Sequence, residues 1–156
     1  MTETTARSAA HHTFAIERTY PHPVAAVWHA FADAEAHFAW FDAEDTFEHS
    51  ERSDDFRVGG QTITDGQWHG GPSSRYVNTY TDIVERERIV GTYDMWVDGT
   101  HISTSLTTTT LEPVEGGTRL TFVEQGVYLD GFDDGSTRET GTQGIFDTLG
   151  RYLDGA

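Results

Sequence analysis

Near the end of the chain apolar residues recur at helical spacing. Ile145, Phe146, Leu149, Tyr152 and Leu153 fall at i, i+1, i+4, i+7 and i+8, one face of an α-helix. Ser136 and Glu139 have the spacing of a capping box, so the helix is predicted over 136–153. At the other end the period is two. Phe14, Ile16, Arg18 and Tyr20 alternate with Ala15, Glu17 and Thr19, a first strand closed by Pro21 and Pro23. Pro23 suits a helix start, and Val24, Val27, Trp28 and Phe31 follow at helical spacing. A second short helix is expected over 34–41.

Between these ends the chain reads as strands. Residues 46–51 and 56–65 form a hairpin pair, with Gly59-Gly60 breaking the second strand at a bulge or bend. Strands at 74–84, 89–97, 101–111 and 118–127 follow. They are separated by a charged turn at 85–88, the Asp98-Gly99 hairpin signal and the Gly116-Gly117 turn. A Gly/Asp loop at 130–136 leads into the last helix. The order is one strand, two short helices, about six more strands and a long helix. That is an α+β fold with an antiparallel sheet. A long helix closing such a series packs across a curved sheet, and small molecules can lodge between the two. Residues 1–13 are polar and read as a loose tail before a single domain at 14–156.

Composition narrows the function. The net charge is −16, and every one of the ten basic residues is arginine. So acidic a surface repels nucleic acid and anionic membranes. It fits either a salt-rich cytoplasm or a genome that avoids lysine codons. No run approaches the roughly 18 apolar residues of a membrane span, and no signal-peptide core precedes the first strand. A cytoplasmic location is the default. With no cysteine, disulfides, thiol catalysis and thiolate metal sites are excluded.

Candidate chemistry is sparse. Ser73, Ser74, Ser103 and Ser105 lack a nucleophile elbow around them. No glycine-rich loop precedes a helix, and no His-x-x-x-His occurs. His22, His29 and His37 lie near the short helices, and His29 with Asp33 makes one i, i+4 pair. Zinc needs three protein ligands, so these are taken as solvated surface histidines. His69 and His101 are better placed to line a cavity mouth. The acidic pairs Glu44-Asp45, Asp54-Asp55 and Asp133-Asp134 sit in turn contexts and read as solvated loops. No catalytic residue, metal site or cofactor is assigned.

Aromatics are many for a domain of this size. One helix cannot fill the concave face of the sheet, so several should line a void. The expected ligand-binding residues are Trp40, Trp68, Tyr76, Tyr80, Tyr93, Trp96, His101, Phe122 and Phe146. Strand alternation puts Tyr93 and Met95 on one face and Trp96 on the other.

Five segments also carry a resemblance: YPHPVAAVWHAFADAEAHFAWF at 20–41, DFRVGGQ at 55–61, YVNTYTDIVERERIVGTY at 76–93, TTTTLEPVEGGTRLTF at 107–122 and GTQGIFDTLGRYL at 141–153. In order and spacing the chain resembles the START-like (SRPBCC) superfamily, nearest the activator of 90-kDa heat-shock-protein ATPase homologue type. The resemblance implies a helix-grip fold, a curved sheet of six or seven strands around the C-terminal helix, and a hydrophobic cavity for lipid-like or aromatic compounds. The family's usual Gly-Trp pair in the last helix is replaced here by Gly144-Ile145. The chaperone-binding domain of the eukaryotic activators is not in this sequence.

Three function classes follow. The first is a non-catalytic carrier or sensor whose partner is a hydrophobic or aromatic small molecule. The others are an enzyme of the polyketide cyclase/aromatase kind and a stress-related chaperone ATPase regulator acting through its surface. The absence of a catalytic constellation favours the first. A homodimer is left open.

Overall fold

The computed structural model describes residues 6–41 and 47–155. Strand β1 (Ala9–Tyr20) leads into helices α1 (Val24–Ala32) and α2 (Ala34–Trp40). Six strands follow: β2 (Phe47–Asp54), β3 (Gln61–Trp68), β4 (Ser73–Val84), β5 (Arg88–Val97), β6 (Thr100–Val114) and β7 (Gly117–Leu129). Helix α3 (Gly135–Leu153) ends the chain. All seven strands form one antiparallel sheet, in the order β1-β7-β6-β5-β4-β3-β2. The α+β helix-grip architecture expected from the sequence is the one found: a curved sheet, two short helices after the first strand, and a C-terminal helix.

Several boundaries differ from expectation for physical reasons. β1 begins at Ala9, so residues 9–13, expected as tail, are paired with Leu129–Gln125 of β7. Their polar sequence carries no alternation; backbone pairing to a neighbouring strand orders them. α3 is capped by Asp134, whose side chain accepts from the Thr137 amide at 2.9 Å. Ser136, the expected cap, instead donates its hydroxyl to Asp134 at 2.7 Å. β3 starts at Gln61, after the Gly59-Gly60 pair, which forms the turn itself. A Cβ on Gly60 would lie 2.1 Å from the Asp55 carbonyl oxygen, so no larger residue fits there. Glu44, Asp45 and Thr46 lie outside the described residues.

The register fixes which side chains face inward. Phe122 pairs with Thr109, Thr109 with Ile89, Tyr93 with Ser105, and Asn78 with Tyr93. With alternation, this sets Phe14, Ile16, Tyr20, Leu120 and Phe122 against α3 and α1, where they form the core with Val27, Phe146 and Leu149. Among the described residues no helix is long and apolar enough to cross a membrane. α3 approaches β1, α1 and α2 most closely. The inward face of β3, β4 and β5 is therefore met by side chains rather than by the helix backbone.

Candidate functional site

Three polar side chains meet where the first turn of α3 faces the middle of the sheet. Glu124 lies on the inward parity of β7, between Phe122 and Gly126, and is 1 % exposed. The Tyr93 hydroxyl donates to its Oε2 at 2.7 Å, and the Tyr128 hydroxyl approaches the same oxygen at 3.5 Å. Arg138 comes down from the buried stripe of α3. Its Nη1 donates to the Tyr93 hydroxyl at 2.8 Å, and its Nη2 donates to Ser103 Oγ at 2.9 Å and Asp133 Oδ2 at 2.8 Å. The guanidinium also stands 3.8 Å from Glu124 and over the ring of Tyr128. Ser105 Oγ lies beside Glu124 and Tyr93 without a regular hydrogen bond to either.

Burial pushes the Glu124 carboxyl above the ordinary carboxylate value, only partly offset by the Tyr93 hydroxyl and the Arg138 charge. Desolvation and the neighbouring Glu124 charge together drive Tyr93 well above its usual range. Arg138 is held firmly charged: burial acts against the charge, but Tyr93, Asp133 and Glu124 more than compensate. Such a buried, mutually satisfied network fixes the position of each member.

A second cluster lies across the inward face, toward β2. The Asp54 side chain is fully buried and pairs with His37 Nδ1 of α2 at 2.9 Å. The Tyr80 and Thr62 hydroxyls both donate to Asp54 Oδ1, at 2.7 and 2.9 Å. Burial alone would raise this carboxyl, yet His37, Tyr80 and Thr62 together hold it below the ordinary value. The His37 ring stacks on Phe41 at 5.0 Å and on Phe38 at 5.8 Å. His37 is thus a buried histidine, not the solvated one expected from the sequence, because Asp54 offers it a partner from another element.

Tyr76 stands between the two clusters. Its ring lies 4.9 Å from that of Tyr93 and 5.2 Å from that of Phe41, at the end of α2. Tyr76, Phe41 and Met95 all keep accessible surface although they point to the concave side. Desolvation raises the Tyr76 hydroxyl well above its usual value, so the ring is deep while still reachable.

The nine residues expected to bind ligand divide by position. Tyr76 and Tyr93 come together on the inward face as strand alternation requires. Tyr80 lies beside them, bonded to Asp54. Trp40, Phe122 and Phe146 pack on one another at 5.1–6.4 Å and are nearly closed off in the core. Trp68 sits at the far end of β3 against Phe47, ring centroids 4.8 Å apart. Trp96 and His101 stack at 5.2 Å on the opposite side of the sheet, where His101 pairs with Asp94 at 2.9 Å. His69 is exposed and paired with Glu48.

Asp54, read from sequence as part of a solvated loop, is instead fully buried, because His37, Tyr80 and Thr62 supply its partners. Neither it nor His37, Glu124 and Arg138 was assigned to a site from sequence. A signal existed for two of them. Glu124 falls on the same parity as Leu120 and Phe122, and Arg138 falls eight residues before Phe146, on its stripe. An acid and an arginine, each on an apolar face, are candidates for one another. Gly144 points to solvent with open space around it, whereas Ile145 packs against the core. An open depression of about 660 Å³, lined by Pro21, Pro23, Val24, Arg86 and Pro113, lies apart from all of these residues.

The sequence profile of the activator of Hsp90 ATPase homolog 1-like proteins matches residues 21–154. Among solved structures, a Rhizobium leguminosarum protein is 38 % identical, with a TM-score of 0.92 over 97 % of this chain and 100 % of its own. The Mll3558 protein of Rhizobium loti is 43 % identical, with a TM-score of 0.84 over 92 % of this chain and 98 % of its own. The AHSA1-like protein of Aeromonas hydrophila, at 19 % identity, shares the fold with a TM-score of 0.67 over 92 % of this chain and 93 % of its own. No curated protein matches the chain.

Proposed function

Because the chain belongs to the family of activator of Hsp90 ATPase homolog 1-like proteins, we propose that it works through the inward face of its sheet. There it holds an apolar or aromatic small molecule between α2, α3 and strands β3–β5, without turning it over. The observation that carries this reading is Tyr76: a deep ring, flanked by Phe41 and Tyr93, that keeps accessible surface on the concave side. Aromatic walls with a few polar tips are the common make-up of small-ligand sites. Apolar burial, about 25 cal/mol per Å² before the costs of association, supplies the affinity.

A thermal-shift and tryptophan-fluorescence screen of sterols, fatty acids, flavonoids and polyketide aromatics tests the proposal. At least one class is expected to raise the melting temperature. Ile145→Trp is expected to weaken the larger ligands by filling space beside the core. If no compound stabilises the protein, the carrier reading fails and a surface-acting chaperone-type role leads.

A second reading, a cyclase-like enzyme, is favoured by one observation. The buried Glu124 carboxyl, bonded by the Tyr93 hydroxyl and faced by Arg138, is a group at which a proton can be held. Conversion of a bound compound, lost in Glu124→Gln, would put the enzyme reading first.

A further inference from the structure

Five tyrosines point to the inward face, and four of them donate within the protein. Tyr20 donates to the Phe146 carbonyl, Tyr80 to Asp54, Tyr93 to Glu124, and Tyr128 more weakly to Glu124. Tyr76 is the exception: its hydroxyl has no hydrogen-bond partner among the described residues. It is not a solvated surface group, since its ring is packed between Phe41 and Tyr93.

The charges around it have one dominant sign. Asp54 lies on the β2 side and Glu124 on the β7 side, each already holding a tyrosine proton. The guanidinium of Arg138 is committed to Tyr93, Ser103 and Asp133. Three carboxylates, Asp54, Glu124 and Asp133, thus stand against one arginine and one histidine, His37, which is paired with Asp54. Burial first, then the neighbouring Tyr93 and Tyr80, and after them Glu124 and Asp54, keep the Tyr76 proton in place.

We propose that Tyr76 is the free hydrogen-bond donor that a ligand on this face can reach, the other unpartnered hydroxyl, Ser105 Oγ, being closed off beside Glu124. The ligand it reads is an uncharged aromatic molecule carrying a carbonyl or comparable acceptor oxygen, and carboxylate-bearing ligands are rejected. This inference rests on the binding function proposed above and adds its selectivity. A neutral acceptor gains the Tyr76 hydrogen bond and leaves that hydroxyl matched. A carboxylate of the same shape must shed its water and then meet two buried carboxylates. The repulsion is built into the walls, so it discriminates without any clash of shape.

Titration calorimetry with three compounds of one size tests this: acetylnaphthalene, ethylnaphthalene and naphthoate. Wild-type protein is expected to bind the ketone more tightly than the hydrocarbon, and naphthoate at least about tenfold more weakly than the ketone. Tyr76→Phe is expected to weaken the ketone about two- to twelvefold, the worth of one neutral hydrogen bond, and to leave ethylnaphthalene unchanged. Retained binding of ethylnaphthalene shows that the variant is folded and its site intact. The wild-type ranking of ketone over naphthoate tests the charge rule without any variant. If naphthoate binds as well as the ketone, or Tyr76→Phe weakens ketone and hydrocarbon equally, the inference is overturned while the binding function stands. If none of the three binds, the inference is overturned, and the broader ligand screen decides the binding function separately.

Discussion

The hydroxyl of Tyr20 in the first strand donates to the carbonyl of Phe146 in the last helix at 2.8 Å. The bond is buried and joins residues 126 positions apart. One turn further along α3, a Cβ on Gly150 would lie 3.3 Å from the Tyr20 ring, so the glycine lets strand and helix come close. This contact seats the helix on the β1 side of the sheet. The β3–β5 side is left to Tyr76, Phe41 and Arg138.

Leu149 follows Phe146 by three residues and is completely buried in the same interface. Leu149→Ala is expected to cost on the order of 2–5 kcal/mol, the usual range for a buried leucine. Chemical denaturation measures it. A loss below about 0.5 kcal/mol, the scale of surface substitutions, would show that this face of α3 is not packed.

Asp54 makes stability depend on acid. Its folded value lies below the ordinary 3.8, because His37, Tyr80 and Thr62 outweigh its burial. The stability it contributes is therefore fully present above the unfolded value and is lost as pH falls through the folded one. Asp54→Asn is expected to destabilise by about 1–3 kcal/mol at neutral pH. The gap from wild type should narrow below about pH 4. Urea unfolding across that range checks it; a gap independent of pH would contradict the pairing.

Glu124 is expected to show the opposite sign. Burial lifts its folded value above 4.5. Its contribution is then present below the unfolded value and is lost as pH rises through the folded one. Between about pH 4 and neutrality, wild type should lose stability relative to Glu124→Gln. The same urea series reads this, and a wild type that gains over the variant in that interval would refute the raised value.

At the start of α3, the two candidate caps are separable by mutation. Asp134→Ala is expected to cost about 1 kcal/mol, since the Thr137 amide loses its acceptor. Ser136→Ala should stay within about 0.5 kcal/mol. Thermal or urea denaturation of the two variants ranks them, and the reverse order would move the cap back to Ser136.

The order of elements was fixed by local patterns: period two in the strands, helical spacing from Ile145 to Leu153, proline and glycine at the joints. These are properties of neighbouring residues and survive in the sequence unaided. With alternation they also put Tyr93 and Met95 on one face and Trp96 on the other. Where partners are distant, the sequence was silent. The pairing of 9–13 depends on the edge of β7, and the burial of His37 depends on Asp54, 17 positions away. Asp134 and Ser136 are both competent caps by residue type, and only the path of the preceding loop chose between them. The aromatics divided in the same way. Composition could count them, but their packing decided that Trp40, Phe122 and Phe146 fill the core while Tyr76 stays open. Tertiary packing also joined Glu124 to Arg138, because a charge on an apolar face can be buried only where another element brings its counter-charge.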